Sequence, residues 1–506
     1  MLMDALRRRG IDFALFRHEA HAGIAAAVYG RLSGSVGVVV TTLGPGASNL
    51  LLPIANSHLD CDPLLAISAQ IPARLPASHT HQRLPLTDIF RPITKFTSSV
   101  TPTNCRRVVR EAIKSSTTGP PGPSYLTLSA EDANAVVAEE SAAVASNHPT
   151  FGPLLDARVA ASTVRELLSK SERPLVIVGL GANASSALPL RSWLTLWSLP
   201  YAVTAKVKGI VNERSIGFVG VVGGMAMDDV MRDAIRNADL VIGFGLDPVE
   251  VDQTWHAETP IHWILEAPLA TGRLPEERLI ACSHHDLLAE LNRQDVPRMW
   301  TDSFSEFRAR RWPGQVVPES TDESPAIDPM AMISALDSSV PAETIVVTDV
   351  GSHKYLFGQF WRSQVPETFL VSNGLSAMGY GLPAAIGAKL ARPDSPVLLA
   401  IGDGGFAMTS SELETAVRLK VPVVAIVLAD RSYSLIRMAQ ESRGLPNFGV
   451  DFGTLDTVAT AEACGMQAKR AHSVEELTSA IKAALEASKS LVVEAPVSVA
   501  SYRGIV

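Results

Sequence analysis

Two apolar runs joined by a glycine-rich segment constrain the fold more than any other part of this 506-residue chain. Val397–Ile401 and Val423–Leu428 are unbroken apolar runs, which are typical of strands covered on both faces of a parallel sheet. Gly402–Gly405 follows the first run, and a helical pattern begins at Glu412. The sequence therefore predicts a strand, a sharp glycine turn, a helix and a second buried strand.

An acidic residue follows each of these predicted strands. Asp403 comes directly after the first strand, and Asp430 comes shortly after the second. Open α/β sheets bind ligands at the carboxyl ends of their strands, so the two carboxylates are expected at a binding edge. Carboxylates beside a helix N-terminus suit a hard divalent cation and a diphosphate held together. Gly402-Asp403-Gly404 alone would also fit an ordinary turn.

The complete pattern resembles the magnesium–diphosphate motif of thiamine diphosphate enzymes. Gly402-Asp403-Gly404 is followed by 24 residues and then by Ala429-Asp430, where the family usually has Asn-Asn. Asp430 retains an oxygen ligand, as in some acetolactate synthases. The resemblance implies a magnesium ion held by Asp403, Asp430 and the main-chain carbonyl of Ser432.

A second segment near the N-terminus supports this resemblance. The sequence places Glu19 where an apolar stretch, Phe13–Phe16, is expected to pass from strand to helix. In the family, a Glu in this Arg-His-Glu setting hydrogen-bonds the aminopyrimidine ring, and a dry environment would raise its proton affinity. Downstream, Pro45 and Asn49 lie in a segment similar to the family's Gly-Pro-Gly-Ala-x-Asn turn, which contacts the pyrimidine. A Glu at a helix N-terminus is also simply favoured by the helix dipole.

Further cofactor contacts follow from the same resemblance. Gly351, Ser352 and His353 match a diphosphate-binding loop, and Met378 matches a bulky residue that bends the cofactor into a V shape. A Met in a glycine-rich turn is otherwise a gap-filler in a core. The implied cofactor-binding residues are Pro45, Asn49, Gly351, Ser352, His353, Ser376, Met378, Gly402, Gly404, Gly405, Tyr433 and Ser434.

The substrate side is less defined by sequence. Gln82 matches a Gln beside the thiazolium ring of acetolactate synthases, and His81 beside it is suited to moving protons at neutral pH. A solvated polar loop explains these two residues equally well. Tyr433, Arg437 and Gln440 follow the metal motif and are candidates for substrate contact, with Arg437 pairing a carboxylate. A solvated helix face is the alternative for Arg437.

Composition limits the class of protein. Hydrophobic residues make up 46% and charged residues 19%, so large cores are feasible. The net charge of −8 gives no basic surface for nucleic acid. No apolar run reaches membrane-spanning length, and the N-terminus lacks a signal-peptide pattern. The four scattered cysteines have no metal spacing, which favours reduced thiols in the cytoplasm.

The length and the repeated strand–helix pattern predict three doubly wound α/β domains. We assign residues 1–144 to a pyrimidine-binding domain, 152–312 to a central domain and 326–506 to a diphosphate- and magnesium-binding domain. A segment around Asn147–Pro149 is expected to be a linker.

Two departures from the family stand out. The segment before Glu19 is short, so the first domain is expected to lack one strand and an active-site loop, as in a fragment, a misassigned start or a trimmed form. The second departure is in the central domain. There, Gly179-x-Gly181-x-x-Ala184 fits only the loose form of the dinucleotide fingerprint and is weak evidence for nucleotide binding. Gly245–Glu250 stands where flavin-dependent relatives have Arg-Phe-Asp-Asp-Arg, so FAD is not expected.

The resemblance implies a thiamine diphosphate- and magnesium-dependent transferase or lyase acting on 2-oxo acids. An acetolactate synthase-like carboligase is the leading hypothesis, and a simple 2-oxo acid decarboxylase is the alternative within the same fold. A non-catalytic cofactor-binding subunit is the alternative from another class, favoured by Ala429 and opposed by Glu19 and Met378. A homodimer or homotetramer is implied, because the family's cofactor lies between two subunits.

Overall fold

The computed structural model describes residues 2–76, 78–137, 154–251, 259–267, 274–293, 300–311, 327–453 and 455–506. The expected linker at Asn147–Pro149 lies outside these residues. Within them, sixteen strands form three sheets, and every strand pairing is parallel. The α/β class with three parallel sheets is therefore confirmed. The domain boundaries stay predictions.

The first sheet has four strands in the order β1-β2-β4-β3. The strands are β1 (Gly37–Thr41), β2 (Leu64–Gln70), β3 (Phe96–Val100) and β4 (Pro123–Ser129). The helices are α1 (Leu2–Arg8), α2 (Glu19–Ser33), α3 (Pro45–Ser48), α4 (Leu51–Asp60), α5 (Leu86–Phe90), α6 (Cys105–Thr117) and α7 (Ala130–Asn134). Strand β1 lies at one edge, and Val38 on it is half exposed.

The central sheet has six strands in the order β10-β9-β8-β5-β6-β7. The strands are β5 (Pro174–Val178), β6 (Tyr201–Thr204), β7 (Phe218–Val222), β8 (Leu240–Phe244), β9 (Ile261–Leu265) and β10 (Leu279–Ala281). The helices are α8 (Ala157–Lys170), α9 (Ala187–Leu196), α10 (Asp228–Asn237), α11 (His284–Leu291) and α12 (Ser305–Arg311).

The third sheet has six strands in the order β12-β11-β13-β14-β16-β15. The strands are β11 (Ile345–Thr348), β12 (Phe369–Val371), β13 (Val397–Gly402), β14 (Val424–Ala429), β15 (Gln467–Arg470) and β16 (Leu491–Pro496). The helices are α13 (Pro329–Ser339), α14 (Ser352–Phe360), α15 (Gly381–Ala391), α16 (Asp403–Thr409), α17 (Glu412–Leu419), α18 (Ser434–Ser442), α19 (Thr457–Ala463) and α20 (Val474–Glu486).

The sharp glycine turn expected after β13 is wrong. Helix α16 begins at Asp403 itself, and Gly402 has an extended conformation with φ −76° and ψ 159°. The glycines are needed for space instead. A methyl group on Gly405 would lie 1.9 Å from Asp349 Oδ2, and one on Gly402 would lie 3.3 Å from the ring of His353. The expected helix is α17, which begins at Glu412 as the sequence predicts, and α16 is a further short helix in place of the turn.

The strand expected at Phe13–Phe16 is also wrong. These residues adopt no regular secondary structure, and Phe13 and Leu15 are exposed. The apolar pattern alone does not make a strand, because a strand needs a neighbour whose main chain completes its hydrogen bonds. The main chain that follows this segment, at Arg17 and His18, is held by hydrogen bonds to the side chain of Glu412.

We call the parts of the chain around the three sheets the first region (residues 2–137), the central region (154–311) and the third region (327–506). Helix α2 of the first region packs directly on α15 of the third region. Ile24 and Val28 of α2 are buried in the same core as residues of α15 and of β13. The two helices approach closely at Gly387, where a methyl group would lie 2.3 Å from the carbonyl oxygen of Ala25. Burying Ile24 and Val28 stabilises the fold by roughly 1.5–3 kcal/mol each. The first and third regions of one chain are therefore held together by a shared apolar core.

The glycine turn of the central sheet is occupied by one of the chain's own carboxylates. The main-chain N–H of Leu180, within the turn, donates to Glu250 Oε2 at 2.6 Å. Thr204 Oγ1 donates to Glu250 Oε1 at 2.6 Å. A methyl group on Gly179 would lie 2.7 Å from the same carboxylate. A cavity of about 590 Å³ lies beside this turn, but the turn's amide already has its acceptor.

Replacing Glu250 with Gln is expected to stabilise the protein at alkaline pH. Burial raises the pKa of Glu250 to about 8 from a usual value of 4.5. The folded state therefore binds an extra proton between pH 4.5 and 8, and the free energy of unfolding falls as pH rises through that window. Because Gln is neutral and can serve both partners, thermal unfolding of E250Q should show a midpoint gain at pH 8 and almost none at pH 4.5.

Glu213→Gln is the matched control. Glu213 is equally buried, but its carboxylate forms an ion pair with Lys208 Nζ at 2.5 Å. Removing one partner leaves a buried charge unpaired, so E213Q should lower the unfolding midpoint at both pH values. A gain for E213Q, or none for E250Q at pH 8, would contradict this reading of the two sites.

Candidate active site

The two predicted metal-binding carboxylates lie at adjacent strand ends. Strands β13 and β14 pair in register, with Gly402 opposite Leu428. Asp403 directly follows β13, and Asp430 directly follows β14. Both side chains therefore lie at the carboxyl edge of the third sheet, as the sequence predicts.

Main-chain N–H groups hold both carboxylates in place. Asp403 accepts hydrogen bonds from the N–H of Gly404 at 2.9 Å and from that of Arg431 at 2.8 Å. Asp430 accepts from the N–H of Ser432 at 3.1 Å and from the hydroxyl of Ser434. The Arg431 bond links the end of β13 to the loop after β14. The two acids are thus oriented by the fold itself.

Burial makes both acids costly to ionise without a cation. Burial, and then the charge of Asp430, raises the pKa of Asp403 to about 6. Burial also raises the pKa of Asp430. Two crowded carboxylates suit a divalent cation, whose charge would offset both. Within the described ranges, no group of three His, Cys, Asp or Glu side chains is arranged to hold a metal, so further ligands would be carbonyl, phosphate or water oxygens.

Unpaired polar atoms lie beside this edge. The hydroxyl of Ser352 and Nε2 of His353 are buried, and neither has a hydrogen-bond partner among the described residues. The ring of His353 lies against Gly402, and burial lowers the pKa of His353 to about 4. Both residues belong to the first turn of α14, where free N–H groups favour an anion. These residues fit the diphosphate expected from the sequence.

Met378 lies next to the metal motif. Its Cε would be 3.5 Å from a methyl group placed on Gly404, and the ring of Tyr433 would be 3.2 Å from it. Tyr433 also packs on Phe452, with ring centroids 5.1 Å apart. The structure therefore brings the expected wedge, the Asp403 motif and Tyr433 together. Ser376, two residues before Met378, accepts a hydrogen bond from Lys354 Nζ at 2.9 Å.

The first region supplies a second cluster. Glu19 is the first residue of α2, and its Oε2 accepts a hydrogen bond from Asn49 Nδ2 at 3.0 Å. A methyl group on Gly46 would lie 3.3 Å from Glu19 Oε1. Pro45 opens the short helix α3, and Asn49 closes it. Asn49 thus contacts Glu19 within the chain, besides the cofactor contact that the resemblance implies.

Gln82 lies close to the same cluster. Its side chain would be 3.1 Å from a methyl group on Gly44, which has φ 59° at the start of α3. Gln82 itself has φ 54°, which is uncommon for a residue with a side chain. His81 precedes it on the exposed part of the loop. The structure brings Gln82 to the α3 turn, and both Gln82 and His81 are exposed in the single chain.

One expectation about Glu19 needs correction. The hydrogen bond from Asn49 holds the pKa of Glu19 below its usual value, whereas the sequence predicted a raised proton affinity. The reason is that Glu19 is only half buried in a single chain.

Arg437 and Gln440 are committed to a loop rather than open to a substrate. Arg437 pairs with Glu441 at 3.2 Å and with Asp451 at 3.0 Å. Gln440 donates to the carbonyl of Phe448 at 3.0 Å and accepts from the N–H of Phe448 at 3.1 Å. Both side chains therefore brace the segment after α18. The substrate contacts expected for them are not supported.

The anchor of the Glu19 segment is a residue that sequence reasoning missed. The carboxylate of Glu412, at the start of α17, is fully buried. It accepts hydrogen bonds from the N–H of Arg17 at 3.2 Å and of His18 at 3.1 Å, and it contacts His21 Nδ1 at 2.9 Å. Nearly 400 residues separate the partners, so no local pattern signals the contact.

Neither a disulfide nor a membrane-spanning helix is found among the described residues. The four cysteines are free and form no disulfide. In the parts of the chain that the structure describes, no helix is both long and apolar enough to cross a membrane.

Comparison with known proteins finds family matches in three segments of the chain. Three family profiles match the chain: "Thiamine pyrophosphate enzyme, N-terminal TPP binding domain" over residues 1–89, "central domain" over 161–264 and "C-terminal TPP binding domain" over 349–495. The C-terminal match contains Asp403 and Asp430, and the N-terminal match contains Glu19 and Asn49.

Curated relatives carry a more specific description. The chain is 30% identical to the acetolactate synthase large subunit of Lactococcus lactis subsp. lactis, over 87% of this chain and 79% of that protein. It is 29% identical to the acetolactate synthase of Bacillus subtilis, over 98% of this chain and 88% of that protein. The catabolic acetolactate synthase of Raoultella terrigena is 29% identical, over 98% of this chain and 90% of that protein.

Replacing Glu412 with Ala is expected to loosen the start of α2. The N–H groups of Arg17 and His18 would lose their acceptor, which costs about 2–3 kcal/mol of unfolding free energy. Glu414→Ala is the control, because Glu414 forms a surface ion pair with Arg17 and such pairs contribute little. Urea unfolding should separate the two variants, and equal midpoints would contradict the anchoring role of Glu412.

Proposed function

Because this chain belongs to the thiamine pyrophosphate enzyme family and is acetolactate synthase-like, we propose that it is a magnesium-dependent carboligase acting on 2-oxo acids. The observation that carries the proposal is the pair of half-buried acids, Asp403 and Asp430, beside the unpartnered polar atoms of Ser352 and His353. Such a site fits a cation and a diphosphate. The relatives' names support carboligation over other reactions.

Each end of the cofactor has candidate residues. Asp403, Asp430 and the carbonyl of Ser432 would hold magnesium, while Ser352 and His353 would contact phosphate oxygens. When bound, the cofactor would supply a nucleophilic carbon and an electron sink for the loss of carbon dioxide from a 2-oxo acid. The protein's part is to bind, orient and exclude water.

Glu19 would hydrogen-bond the aminopyrimidine ring, with Asn49 fixing the orientation of its carboxylate. In the single chain Glu19 is half buried and its pKa is lowered. Covering it with a second copy of the chain would remove water and raise that pKa toward the working range. Gln82, against the α3 turn, would face the substrate, and His81 would join it if the loop is covered too.

Three further features belong to the proposal. The site is completed by a second protomer, in a homodimer or homotetramer. No flavin is required, which is supported by the Glu250 carboxylate on the amide of Leu180 at the central glycine turn. A cytoplasmic location fits four cysteines without disulfides.

Glu19→Gln and Asp403→Asn should fail in different ways. E19Q retains the metal site, so calorimetry should show near-normal binding of thiamine diphosphate with Mg²⁺, while turnover falls by at least about 100-fold. D403N removes the negative charge of a metal-binding oxygen ligand, so its affinity for the cofactor should fall by at least about 10-fold. Normal turnover in E19Q would contradict catalysis at this site and favour a non-catalytic subunit.

Product analysis with pyruvate separates the two enzymatic alternatives. A carboligase should convert pyruvate into acetolactate, or acetoin derived from it, with release of carbon dioxide. A decarboxylase of the same fold would yield acetaldehyde alone. Acetaldehyde as the sole product would overturn carboligation while leaving the cofactor assignment intact.

A further inference from the structure

The loop that carries Met378 runs between two buried carboxylates. Asp349, at the end of β11, is fully buried. It accepts hydrogen bonds from the N–H groups of Gly379 at 3.2 Å, Tyr380 at 3.0 Å and Gly381 at 3.3 Å. The chain directly after Met378 is therefore fixed from within the third region itself.

The start of the same loop is held from a different region. Asp60, the last residue of α4, accepts the N–H of Gly374 at 2.8 Å and that of Asn373 at 3.2 Å. Asp60 is only 1% exposed. Hydrogen bonds to an ionised carboxylate are among the stronger ones in proteins. A first-region acid thus sets where the loop leaves β12.

The central region supplies the counter-charge. Lys206 Nζ lies 3.3 Å from Asp60 and 3.4 Å from Asp62, and it donates to the carbonyl of Val371 at 3.4 Å. Asn56 Nδ2 donates to Asp60 Oδ2 at 3.2 Å. A buried carboxylate without a cation is strongly destabilising, and Lys206 supplies the positive charge beside Asp60. All three regions therefore meet at one carboxylate.

We propose that Asp60 is a positioning residue that, with Lys206 as its counter-ion, holds the 372–378 loop so that Met378 presses on the cofactor in a fixed place. The inference rests on the proposed function. Displacement of a positioning group by about 1 Å can cost on the order of 100-fold in rate. Loosening one end of the loop should therefore reduce turnover more than cofactor binding, because the diphosphate and metal contacts lie elsewhere.

Asp60→Asn and Asp62→Asn form a matched pair. In D60N one acceptor oxygen becomes a donor, which faces either the N–H of Gly374 or the donors Asn56 and Lys206. Asp62 belongs to the same buried charge cluster. It forms ion pairs with Arg31 at 3.0 Å and with Lys206 at 3.4 Å, and not with the 372–378 loop. A general effect of disturbing the cluster would appear in both variants.

The first measurement needs no cofactor. Hydrogen exchange of the apo protein should show the amides of Asn373 and Gly374 exchanging at least about 10-fold faster in D60N than in wild type. The amides of Gly379 to Gly381, held by Asp349, should be unchanged, and D62N should leave both groups protected. Equal exchange of these two amides in D60N and wild type would show that Asp60 does not hold the 372–378 loop and would overturn the proposal.

The second measurement separates positioning from binding. In D60N, kcat should fall at least about 10-fold, while the Kd for thiamine diphosphate with Mg²⁺ changes less than about 3-fold. In D62N both quantities should stay near wild type. A wild-type kcat in D60N, a loss confined to Kd, or an equal fall of kcat in D62N would each overturn the proposal.

Ser372→Ala covers the case in which D60N does not fold. The Ser372 hydroxyl accepts the N–H of Ala377 at 3.1 Å and donates to Asn56 at 2.6 Å. S372A should speed exchange of the Ala377 amide and lower kcat at least about 3-fold, and an unchanged kcat would overturn the proposal. If wild type binds no thiamine diphosphate, the proposed function is wrong. Hydrogen exchange of the protein without cofactor still decides whether Asp60 holds the 372–378 loop.

Discussion

A single buried carboxylate, that of Glu412, determines where the Glu19 segment lies. It accepts the main-chain N–H groups of Arg17 and His18 and contacts the ring of His21. The segment before α2 has no sheet partner, so this carboxylate replaces the missing hydrogen bonds. The packing of α2 on α15 then extends the attachment along the helix. The first region is thereby fixed to the third region of the same chain.

This attachment leaves the chemistry divided. Glu19, Asn49 and Gln82 gather around the α3 turn, whereas Asp403 and Asp430 lie at the edge of the third sheet. The two groups make no hydrogen bond or ion pair with each other among the described residues. Each group is well oriented, and in the proposed function each would hold only one end of the cofactor. A second copy of the chain is the simplest way to supply the other end.

Local patterns in the sequence were sufficient for the strand ends. Continuous apolar runs located β13 and β14, and so placed Asp403 and Asp430 correctly at one edge. The sequence alone could not explain why these positions are glycines. Gly405 is required by its contact with Asp349, which lies more than 50 residues away along the chain. The sequence gives no warning of such close approaches, and it suggested a turn instead.

Long-range contacts account for most of the remaining differences. Glu412, Asp60 and Lys206 each act on a main chain hundreds of residues away or in another region, and no motif marks them. Arg437 was expected to meet a carboxylate and does so, but the carboxylates belong to its own chain. The Phe13–Phe16 run followed a strand pattern without a neighbour to pair with. In each case, tertiary context overrode a sound local rule.

We propose that the Glu19 group of one protomer and the Asp403 group of another form one active site. Mixing E19Q with D403N under conditions that exchange protomers, at a cofactor concentration at which neither protein alone turns over, tests it most directly. Half of the randomly formed dimers would then contain one intact site, so activity should return to about a quarter of the wild-type level. If both proteins exchange protomers and the mixture stays inactive, the two groups do not share a site and the account is wrong.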